Sequence, residues 1–260
     1  MSDDILLCTI EAGLGRIHFN SPKSMNALSL PMARAFRDAA LRVVADPTVR
    51  VILISAEGRA FMAGGDLRYF HDAEDKPGAA AELISCVNKA LATLDRTQSI
   101  VLSAIQGAVA GGGIGIALSA DIVLAADDVT FTTAYARIGA TMDCGGSHAL
   151  VRRAGYGKAI EMALLSDPLP VVEALSLGLV NRIVPRLALE QEAEALAARL
   201  LNGASQAQRN AKALLKTAAT TTYPDQLRAE LESFTQCAAS EDFTEGVTAF
   251  LEKRKPDFAP

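Results

Sequence analysis

Two short glycine-rich runs are the residues whose types and spacing point most directly to chemistry. Residues 63–66 (Ala-Gly-Gly-Asp) and 111–113 (Gly-Gly-Gly) each follow an apolar run that is typical of a buried strand. Glycine lets the backbone approach a ligand closely, and the first amides of a helix point outward without an intrahelical partner. Two such amides directed at one carbonyl oxygen would form an oxyanion hole. The residues alone leave a second interpretation open, in which each run is only a tight turn or a close strand–helix contact.

The second glycine run does not match the phosphate-binding motifs. Residues 111–115 (Gly-Gly-Gly-Ile-Gly) complete no Gly-x-Gly-x-x-Gly frame, and no Lys-Ser or Lys-Thr pair follows them as in a P-loop. The net charge of −5 also argues against nucleic acid, which binds to a basic surface that replaces its counterions. We therefore predict neither a dinucleotide site nor a nucleic-acid partner.

Cysteine and histidine show no metal-binding or redox pattern. The four cysteines, Cys8, Cys86, Cys144 and Cys237, lie dozens of residues apart, and the three histidines are equally scattered. No Cys-x-x-Cys or His-x-x-x-His pair occurs, so no metal site is predicted. Reduced thiols, together with an acidic N-terminus that lacks the pattern of a signal peptide, predict a cytoplasmic location.

An uncharged stretch of 21 residues, 100–120, has the length of a membrane span. Its five glycines cluster toward the middle, where they would weaken a helix. A buried strand, a glycine turn and a short helix are therefore predicted there, and no membrane partner is expected.

Apolar periodicity divides the chain into two kinds of structure. In the first half, short apolar runs alternate with turns, and Ser29 followed by Pro31 predicts the start of a helix. Strands are predicted at residues 5–10, 15–19, 49–55, 100–105, 121–126, 129–131 and 180–184, and a helix at 80–95 follows a polar, mobile stretch at 72–78. From Gly145 onward the helical period dominates, with helices at 187–201, 205–217, 224–239 and 241–253, the last one starting at Ser240. The layout predicts an α/β core and an all-helical C-terminal region that packs on the chain's own core or on another subunit.

Several motifs, in order along nearly the whole chain, resemble those of the crotonase superfamily, which contains the enoyl-CoA hydratases and isomerases. They are residues 21–29 (SPKSMNALS), 58–67 (GRAFMAGGDL), 105–113 (IQGAVAGGG), 120–122 (ADI), 178–181 (GLVN) and 245–256, which ends in FLEKRKP. The resemblance implies an α/β fold with a crotonase-type spiral of ββα units over residues 1–190 and an all-helical trimerisation region over residues 191–260. It also implies a homotrimer or a dimer of trimers.

The same resemblance implies an acyl-CoA thioester as substrate, with no separate cofactor because coenzyme A is part of that substrate. By position, the oxyanion donors are the backbone N–H groups of Gly65 and Gly112. The coenzyme A end would meet these glycines together with Lys23, Met25, Ala63, Asp66, Leu67 and Arg68. The guanidinium of Arg68 presents a fork of donors to phosphate, although Lys23 and Arg68 also suit a solvated surface.

Both glutamates of the hydratases are replaced in this chain. By position, Gly115 and Tyr135 stand where those enzymes carry the acids that orient water and handle the proton on carbon. Glycine has no side chain for either task, and tyrosine with its ordinary pKa of about 10 is a poor base at neutral pH. Hydratase activity is therefore an alternative rather than the first expectation.

One acid, Asp143, remains in a suggestive place. Residues 142–146 (Met-Asp-Cys-Gly-Gly) resemble the aspartate-containing turn of isomerases that shift the double bond of an enoyl-CoA, with Met142 where those enzymes usually have proline. One carboxylate suits a 1,3-proton shift, because it takes a proton from one carbon and returns it two carbons along. The resemblance thus implies an enoyl-CoA isomerase with Asp143 as the proton shuttle and Tyr135 shaping the acyl pocket.

Three other interpretations of this turn remain open. Asp143 precedes a predicted helix and would suit an N-cap. As the nucleophile of an aryl-CoA dehalogenase, it would have an aromatic partner in Tyr135, but no histidine stands near Asn88 to activate water. A non-catalytic acyl-CoA-binding protein would keep the fold without using the acid.

Overall fold

The computed structural model describes residues 4–258. Its strands are β1 (Leu6–Glu11), β2 (Leu14–Phe19), β3 (Val51–Ala56), β4 (Ile100–Ile105), β5 (Ala108–Ala110), β6 (Ile122–Ala126), β7 (Thr130–Thr132), β8 (Leu169–Pro170) and β9 (Arg182–Val184). Its α-helices are α1 (Leu30–Ala45), α2 (Leu67–Asp72), α3 (Lys76–Arg96), α4 (Gly112–Leu118), α5 (Gly146–Leu165), α6 (Val171–Ser176), α7 (Leu189–Leu201), α8 (Ser205–Thr217), α9 (Tyr223–Ala238) and α10 (Glu241–Leu251). Turns of 3-10 helix lie at Pro22–Ser24, Tyr135–Ile138 and Arg186–Ala188.

Two sheets organise the fold. The larger has the strand order β1-β2-β3-β4-β6-β9, in which β1 and β2 are antiparallel and all later neighbours are parallel. The smaller has the order β5-β7-β8, with β5 and β7 parallel and β7 and β8 antiparallel. Strand β4 is buried along its whole length, as expected for a central strand of a sheet that is covered on both faces. Five of the seven predicted strands thus become parallel strands of the larger sheet, namely β2, β3, β4, β6 and β9.

Helices cover opposite faces of the larger sheet. On β2, Phe19 packs against Phe36 of α1 with 5.3 Å between the ring centroids, whereas Arg16 reaches Glu194 of α7. Side chains alternate along a strand, so Phe19 and Arg16 mark the two faces. Helices α1 and α3 pack on each other over the first face, and α7 lies on β3, β4 and β6.

The chain leaves the larger sheet at Gly107 and enters the smaller one at β5. Gly107 has a φ of +55°, and a Cβ added there would lie 1.9 Å from the carbonyl oxygen of Arg59. Both the left-handed conformation and the close approach require glycine. The carboxylate of Asp128 fixes the turn by accepting a hydrogen bond of 3.0 Å from the Gly107 amide. The turn therefore brings the second glycine run to the end of β5.

Local signals in the sequence predict the helix starts well. Ser29 caps α1 by accepting a hydrogen bond from the amide of Met32, and Ser240 caps α10 by accepting one from the amide of Phe243. The predicted hairpin is confirmed as β1 and β2, and the four predicted C-terminal helices correspond to α7–α10, with ends that shift by at most two residues. The predicted α/β core with a helical C-terminal region is confirmed.

The polar stretch at residues 72–78 contains helical residues on either side of a break at 73–75, and its mobility stays a prediction. It holds the end of α2 and the start of α3, and an aspartate caps each helix. Asp66 accepts a hydrogen bond from the amide of Arg68, and Asp75 accepts one from the amide of Gly78. These carboxylates satisfy amides that a first helical turn leaves without partners. The sequence does not predict α2 because six residues are too few to show a helical period.

The uncharged residues 100–120 form β4, β5 and α4, so the predicted strand, glycine turn and short helix are confirmed. Within residues 4–258, no helix combines the length and the apolar character that crossing a bilayer requires.

A buried ion pair joins the helical region to the larger sheet. The ammonium of Lys212 in α8 lies 2.7 Å from the Oδ2 atom of Asp121, and its side chain is only 8% exposed. The same ammonium donates to the carbonyl oxygen of Ser99 at 2.7 Å, and Asp121 also accepts a hydrogen bond from the amide of Val101. One charged pair thus holds α8 against the start of β4.

Large apolar side chains remain exposed on α5, α6 and the helices that follow α7. They include Tyr156, Leu164, Leu165, Val172, Leu215, Tyr223, Leu231, Phe234, Phe250 and Leu251. The predicted division at residue 190 falls within α7, whose residues pack on the sheet. That division and the trimer stay predictions.

Replacing Lys212 by methionine should destabilise the fold, because the carboxylate of Asp121 would lose its cation. Breaking a buried pair from one side costs about 3–5 kcal/mol, and the partial exposure of Asp121 reduces the expected loss in free energy of unfolding to about 2 kcal/mol. Lys216→Met is the matched control, since its partner Asp95 is 70% exposed and such pairs contribute about 1 kcal/mol or less. Urea unfolding measures both losses, and equal values would contradict this role for Lys212.

Candidate active site

The two glycine runs lie side by side. Strand β5 is hydrogen-bonded to the segment before the first run, since the amide of Ala110 donates to the carbonyl of Met62 at 2.9 Å. A Cβ added to Gly111 would lie 3.3 Å from the Cα atom of Gly64 and 4.0 Å from the nitrogen of Gly65. Gly64 and Gly111 have φ values of +102° and +51°, which other residues rarely adopt. The absence of side chains therefore brings two backbone segments into direct contact.

The amides of Gly65 and Gly112 are both left without a protein acceptor. Gly65 forms a β-bridge with Leu28, in which the amide of Leu28 donates to Gly64 and the amide of Asp66 donates to Leu28. Because these bonds use the residues on either side of Gly65, its own amide points away from Leu28. Gly112 is the first residue of α4, where an amide has no intrahelical acceptor. Among residues 4–258, no group accepts a hydrogen bond from either amide.

The carboxylate of Asp143 lies beside the second glycine run. Its Oδ1 atom is 3.3 Å from the place of a Cβ on Gly112, and it accepts a hydrogen bond of 2.5 Å from the hydroxyl of Tyr135. Helix α5 begins at Gly146 with Gly145 as its N-cap, and no side chain caps it. The N-cap interpretation of Asp143 is therefore wrong, because its side chain turns toward Tyr135 and the glycine run.

The turns that carry Tyr135 and Asp143 each contain a left-handed residue that is not glycine. Ala134, directly before Tyr135, has a φ of +61°, and Cys144, directly after Asp143, has a φ of +48°. Such conformations cost about 1 kcal/mol or more and persist where the surrounding structure holds them. The two interacting side chains are thus presented by two strained turns.

Burial controls the charge of the side chains next to Asp143. It raises the pKa of Tyr135 far above the ordinary value, and the negative charge of Asp143 adds to this effect. Burial, again followed by Asp143, raises the pKa of the Cys144 thiol. Both groups stay protonated at neutral pH, so Tyr135 is a hydrogen-bond donor to the carboxylate and Cys144 is a thiol rather than a nucleophile.

The residues predicted to meet coenzyme A surround the first glycine run. The amide of Ala63 donates to the carbonyl of Met25 at 3.0 Å, which joins the run to the motif at residues 21–29. The carboxylate of Asp66 is engaged as the N-cap of α2. Leu67 follows in the first turn of α2 and is 53% exposed.

Lys23 and Arg68 are exposed cations of this region. Lys23 lies in the 3-10 turn at Pro22–Ser24, and Arg68 lies in α2. In the described part of the chain, neither of them forms an ion pair or a side-chain hydrogen bond. The arrangement is compatible with phosphate binding and with a solvated surface.

Asn26 has a structural role that the motif alone does not reveal. Its side chain is fully buried, accepts a hydrogen bond from the amide of Ser21 at 2.8 Å, and donates to the carbonyls of Glu57 and Ala60 at 2.9 Å. Its φ of +54° is one that asparagine tolerates better than most residues. These bonds tie the first motif to the loop before the glycine run, so Asn26 positions that run.

A cavity of about 410 Å³ lies elsewhere, between the larger sheet and α7. Its wall includes His18 and Ser55, and the ion pair of Arg16 with Glu194 forms part of it. It contains neither glycine run nor Asp143. The functional site is therefore identified by its backbone amides and its acid, and cavity size does not locate it.

The chain is similar to known proteins over nearly its whole length. The sequence profile described as enoyl-CoA hydratase/isomerase matches residues 9–260. The chain is 30% identical over 259 residues to the crotonyl-CoA hydratase of Syntrophomonas wolfei, with 99% of both chains covered. It is 32% identical over 259 residues to the 1,2-epoxyphenylacetyl-CoA isomerase of Escherichia coli K12, with 98% of both covered. A crystal structure from Mycobacterium abscessus, provisionally designated an enoyl-CoA hydratase/isomerase, superposes with a TM-score of 0.93 at 34% identity, covering 98% of this chain and 99% of that one.

These similarities extend over the whole fold and are not confined to one motif. The chain belongs to the enoyl-CoA hydratase/isomerase family, and the two relatives named above act on acyl-CoA thioesters. The predicted crotonase fold is confirmed by the structural match.

The buried hydroxyl of Tyr135 should make the folded protein lose stability above a pH of about 10, the ordinary pKa of tyrosine. In that range the unfolded chain releases this proton while the folded chain retains it, so the free energy of unfolding should fall by about 1.4 kcal/mol per pH unit. Tyr135→Phe removes this contribution. Urea unfolding on either side of this pH should show a steeper loss for the wild type, and parallel losses in the two proteins would refute the assignment.

Replacing Asn26 by alanine should lower the free energy of unfolding by about 3 kcal/mol, because one amide and two carbonyls would be left without partners. Asn20→Ala is the control, since Asn20 makes one exposed hydrogen bond to the Asp4 carbonyl and its loss should cost less than about 1 kcal/mol. Denaturant unfolding and the Kd for an acyl-CoA are measured for both. Similar stabilities and affinities in the two variants would show that Asn26 does not position the run.

Proposed function

We propose that this chain is an enoyl-CoA isomerase that moves a double bond along the acyl chain of a thioester. The proposal rests on a single carboxylate, that of Asp143, which lies beside Gly112 while positions 115 and 135 carry no acid. Relatives named as a hydratase and as an isomerase are similar to the chain to nearly the same degree, 30% and 32%. Overall similarity therefore does not separate the two activities, and the site residues favour the isomerase.

The two amides without acceptors would supply the electrostatic part of the reaction. A thioester oxygen bound between the N–H groups of Gly65 and Gly112 gains negative charge when a carbon conjugated with the carbonyl is deprotonated. Preorganised amides stabilise this enolate, because they need no rearrangement as the charge develops. Loss of one such donor typically costs about 3 kcal/mol of transition-state stabilisation.

Asp143 would carry the proton. Its Oδ1 atom is held by the hydroxyl of Tyr135, so we assign the transfer to Oδ2. The carboxylate takes a proton from one carbon, the released electron pair moves into the dienolate, and the carboxylic acid returns the proton to the carbon two positions away. The double bond has then moved, no water is consumed, and Asp143 has regained its charge.

The alternative reactions lack a group that they need. Hydration requires a second acid or base to position water, whereas Gly115 has no side chain and Tyr135 keeps its proton. Aryl dehalogenation with Asp143 as nucleophile requires a base for hydrolysis of the aryl ester, and the sequence of α3 contains no histidine. Isomerisation needs only the acid and the amides that the site contains.

The substrate and the assembly complete the proposal. The coenzyme A part of the thioester would run past Met25, Ala63 and Leu67 toward Lys23 and Arg68, with no separate cofactor.

Copies of the chain would assemble as a homotrimer or a dimer of trimers, which the exposed apolar side chains of α9 and α10 support. A cytoplasmic location stays a prediction.

Asp143→Asn should abolish proton exchange at the α-carbon of a 3-enoyl-CoA in deuterated water, because the amide cannot accept that proton. The expected decrease is about 10²–10⁴-fold, with acyl-CoA binding retained. Asp38→Asn is the matched control, since Asp38 is an exposed aspartate on α1 paired with Arg37. Mass spectrometry of the recovered thioester measures the exchange.

The outcomes of this experiment separate the candidate functions. Undiminished exchange in Asp143→Asn would remove Asp143 from the mechanism. Net addition of water to crotonyl-CoA would identify a hydratase, and halide release from a 4-halobenzoyl thioester would identify a dehalogenase. Tight acyl-CoA binding without turnover of any substrate would favour a non-catalytic binding protein.

A further inference from the structure

We propose that Gly115 is a specificity-determining residue, because it admits the turn that carries Asp143 and thereby excludes any acid at position 115. A Cβ added to Gly115 would lie 1.8 Å from the carbonyl oxygen of Cys144, 2.8 Å from its carbonyl carbon and 3.1 Å from the nitrogen of Gly146. All three are backbone atoms, which cannot rotate away as the end of a side chain can. Position 115 therefore has no room for any side chain while the turn stays in place.

Backbone conformation does not explain this glycine. Gly115 lies inside α4, and its φ is not among the positive values, so any L-residue could adopt its conformation. Glycine in a helix interior is about 1 kcal/mol less favourable than alanine. Space for the neighbouring turn is the remaining physical reason for glycine at this position.

The contact at Gly115 is coupled to the position of the acid. Gly112 and Gly115 lie three residues apart, so they share one face of α4. On that face a Cβ on Gly112 would meet the Sγ atom of Cys144 at 3.2 Å and the Oδ1 atom of Asp143 at 3.3 Å. The turn thus rests on both glycines, through its backbone at Gly115 and through its side chains at Gly112. How closely the turn approaches Gly115 therefore sets the distance between the Asp143 carboxylate and the Gly112 amide.

The space next to position 115 therefore holds either the backbone of the turn or a side chain on residue 115, and its occupant determines the reaction. A residue at 115 would push the turn outward by about 1 Å, and a misplacement of that size can cost about 10²-fold in rate. A glutamate at position 115 would displace Asp143, so the site would still lack the two correctly placed acids that hydration needs. This inference rests on the proposed role of Asp143, and the test below separates the failure of either one.

The experiment compares Gly115→Ala with Gly157→Ala, a glycine in α5 whose added Cβ would meet nothing within 4 Å. Gly115→Ala should lower α-proton exchange about 10²-fold while the Kd for an acyl-CoA changes less than about 3-fold, and Gly157→Ala should match the wild type. In protein labelled with 3-fluorotyrosine, the ¹⁹F resonance of Tyr135 should shift in Gly115→Ala only, because its hydrogen bond to Asp143 lengthens. The resonance is assigned with Tyr135→Phe.

Combination with Asp143→Asn shows whether Gly115 acts through the acid. If it does, Gly115→Ala has no further effect on the residual exchange of Asp143→Asn, whereas an independent structural effect would multiply. Wild-type exchange in Gly115→Ala, with exchange lost in Asp143→Asn, overturns the inference and leaves the proposed function standing. Exchange retained in Asp143→Asn overturns the proposed function itself.

Two further variants keep the inference testable if Gly115→Ala is poorly folded. Cys144→Gly removes the Sγ atom near Gly112 and leaves glycine at the left-handed position, so the turn can shift with less strain. Its own exchange rate is the reference, and exchange should fall about 10²-fold further when Gly115→Ala is added. Gly115→Glu should neither exchange the α-proton nor hydrate crotonyl-CoA. Hydration by Gly115→Glu, or full exchange in the Cys144→Gly/Gly115→Ala protein, would contradict the exclusive use of this volume.

Discussion

The direct contact of two backbone segments, at Gly64 and Gly111, is the constraint on which the rest of the site depends. The Cβ position of Gly111 lies 3.3 Å from the Cα atom of Gly64, so any pair of larger residues would separate the two segments. Their proximity supports the proposed binding of one thioester oxygen by the amides of Gly65 and Gly112. Much of the surrounding structure maintains it: β5 hydrogen-bonds to the segment before the first run, and the buried side chain of Asn26 anchors the loop that leads into that segment. The larger sheet and its helices thus fix the peptide groups of Gly65 and Gly112 relative to each other.

The surroundings of the Asp143 carboxylate are set by two buried neighbouring side chains. Tyr135 and Cys144 flank Asp143, and burial raises the pKa of both groups, so neither adds a negative charge beside the carboxylate. The tyrosine hydroxyl donates to one carboxylate oxygen and fixes its orientation. The family contains relatives named for hydration and for isomerisation, and the same pair of amides would serve either reaction. In the proposed mechanism, the reaction is decided by Asp143 and by the glycine that gives its turn room.

The sequence predicts the parts of this structure that depend on neighbouring residues. Ser29 and Ser240 cap their helices as expected, and the apolar runs form strands, because both signals are local. The linked motifs also place the two glycine runs, which the fold brings together. Two contacts of the site are not predicted by any local pattern. Asp143 accepts a hydrogen bond from Tyr135, and Gly115 lies against the carbonyl of Cys144. They depend on how the turn before α5 packs on α4, and the sequence alone leaves both an N-cap and a catalytic acid open for Asp143.

The left-handed residues Ala134 and Cys144 have a consequence for the way the native state fluctuates. Each stores free energy in the turn that presents a reactive side chain, and that energy is released when the turn loosens. Segments with such stored energy open at a lower free energy than the central strand β4, which is held by burial along its whole length. Transient opening of these two turns would therefore expose Tyr135 and Asp143 while strand β4 stays closed.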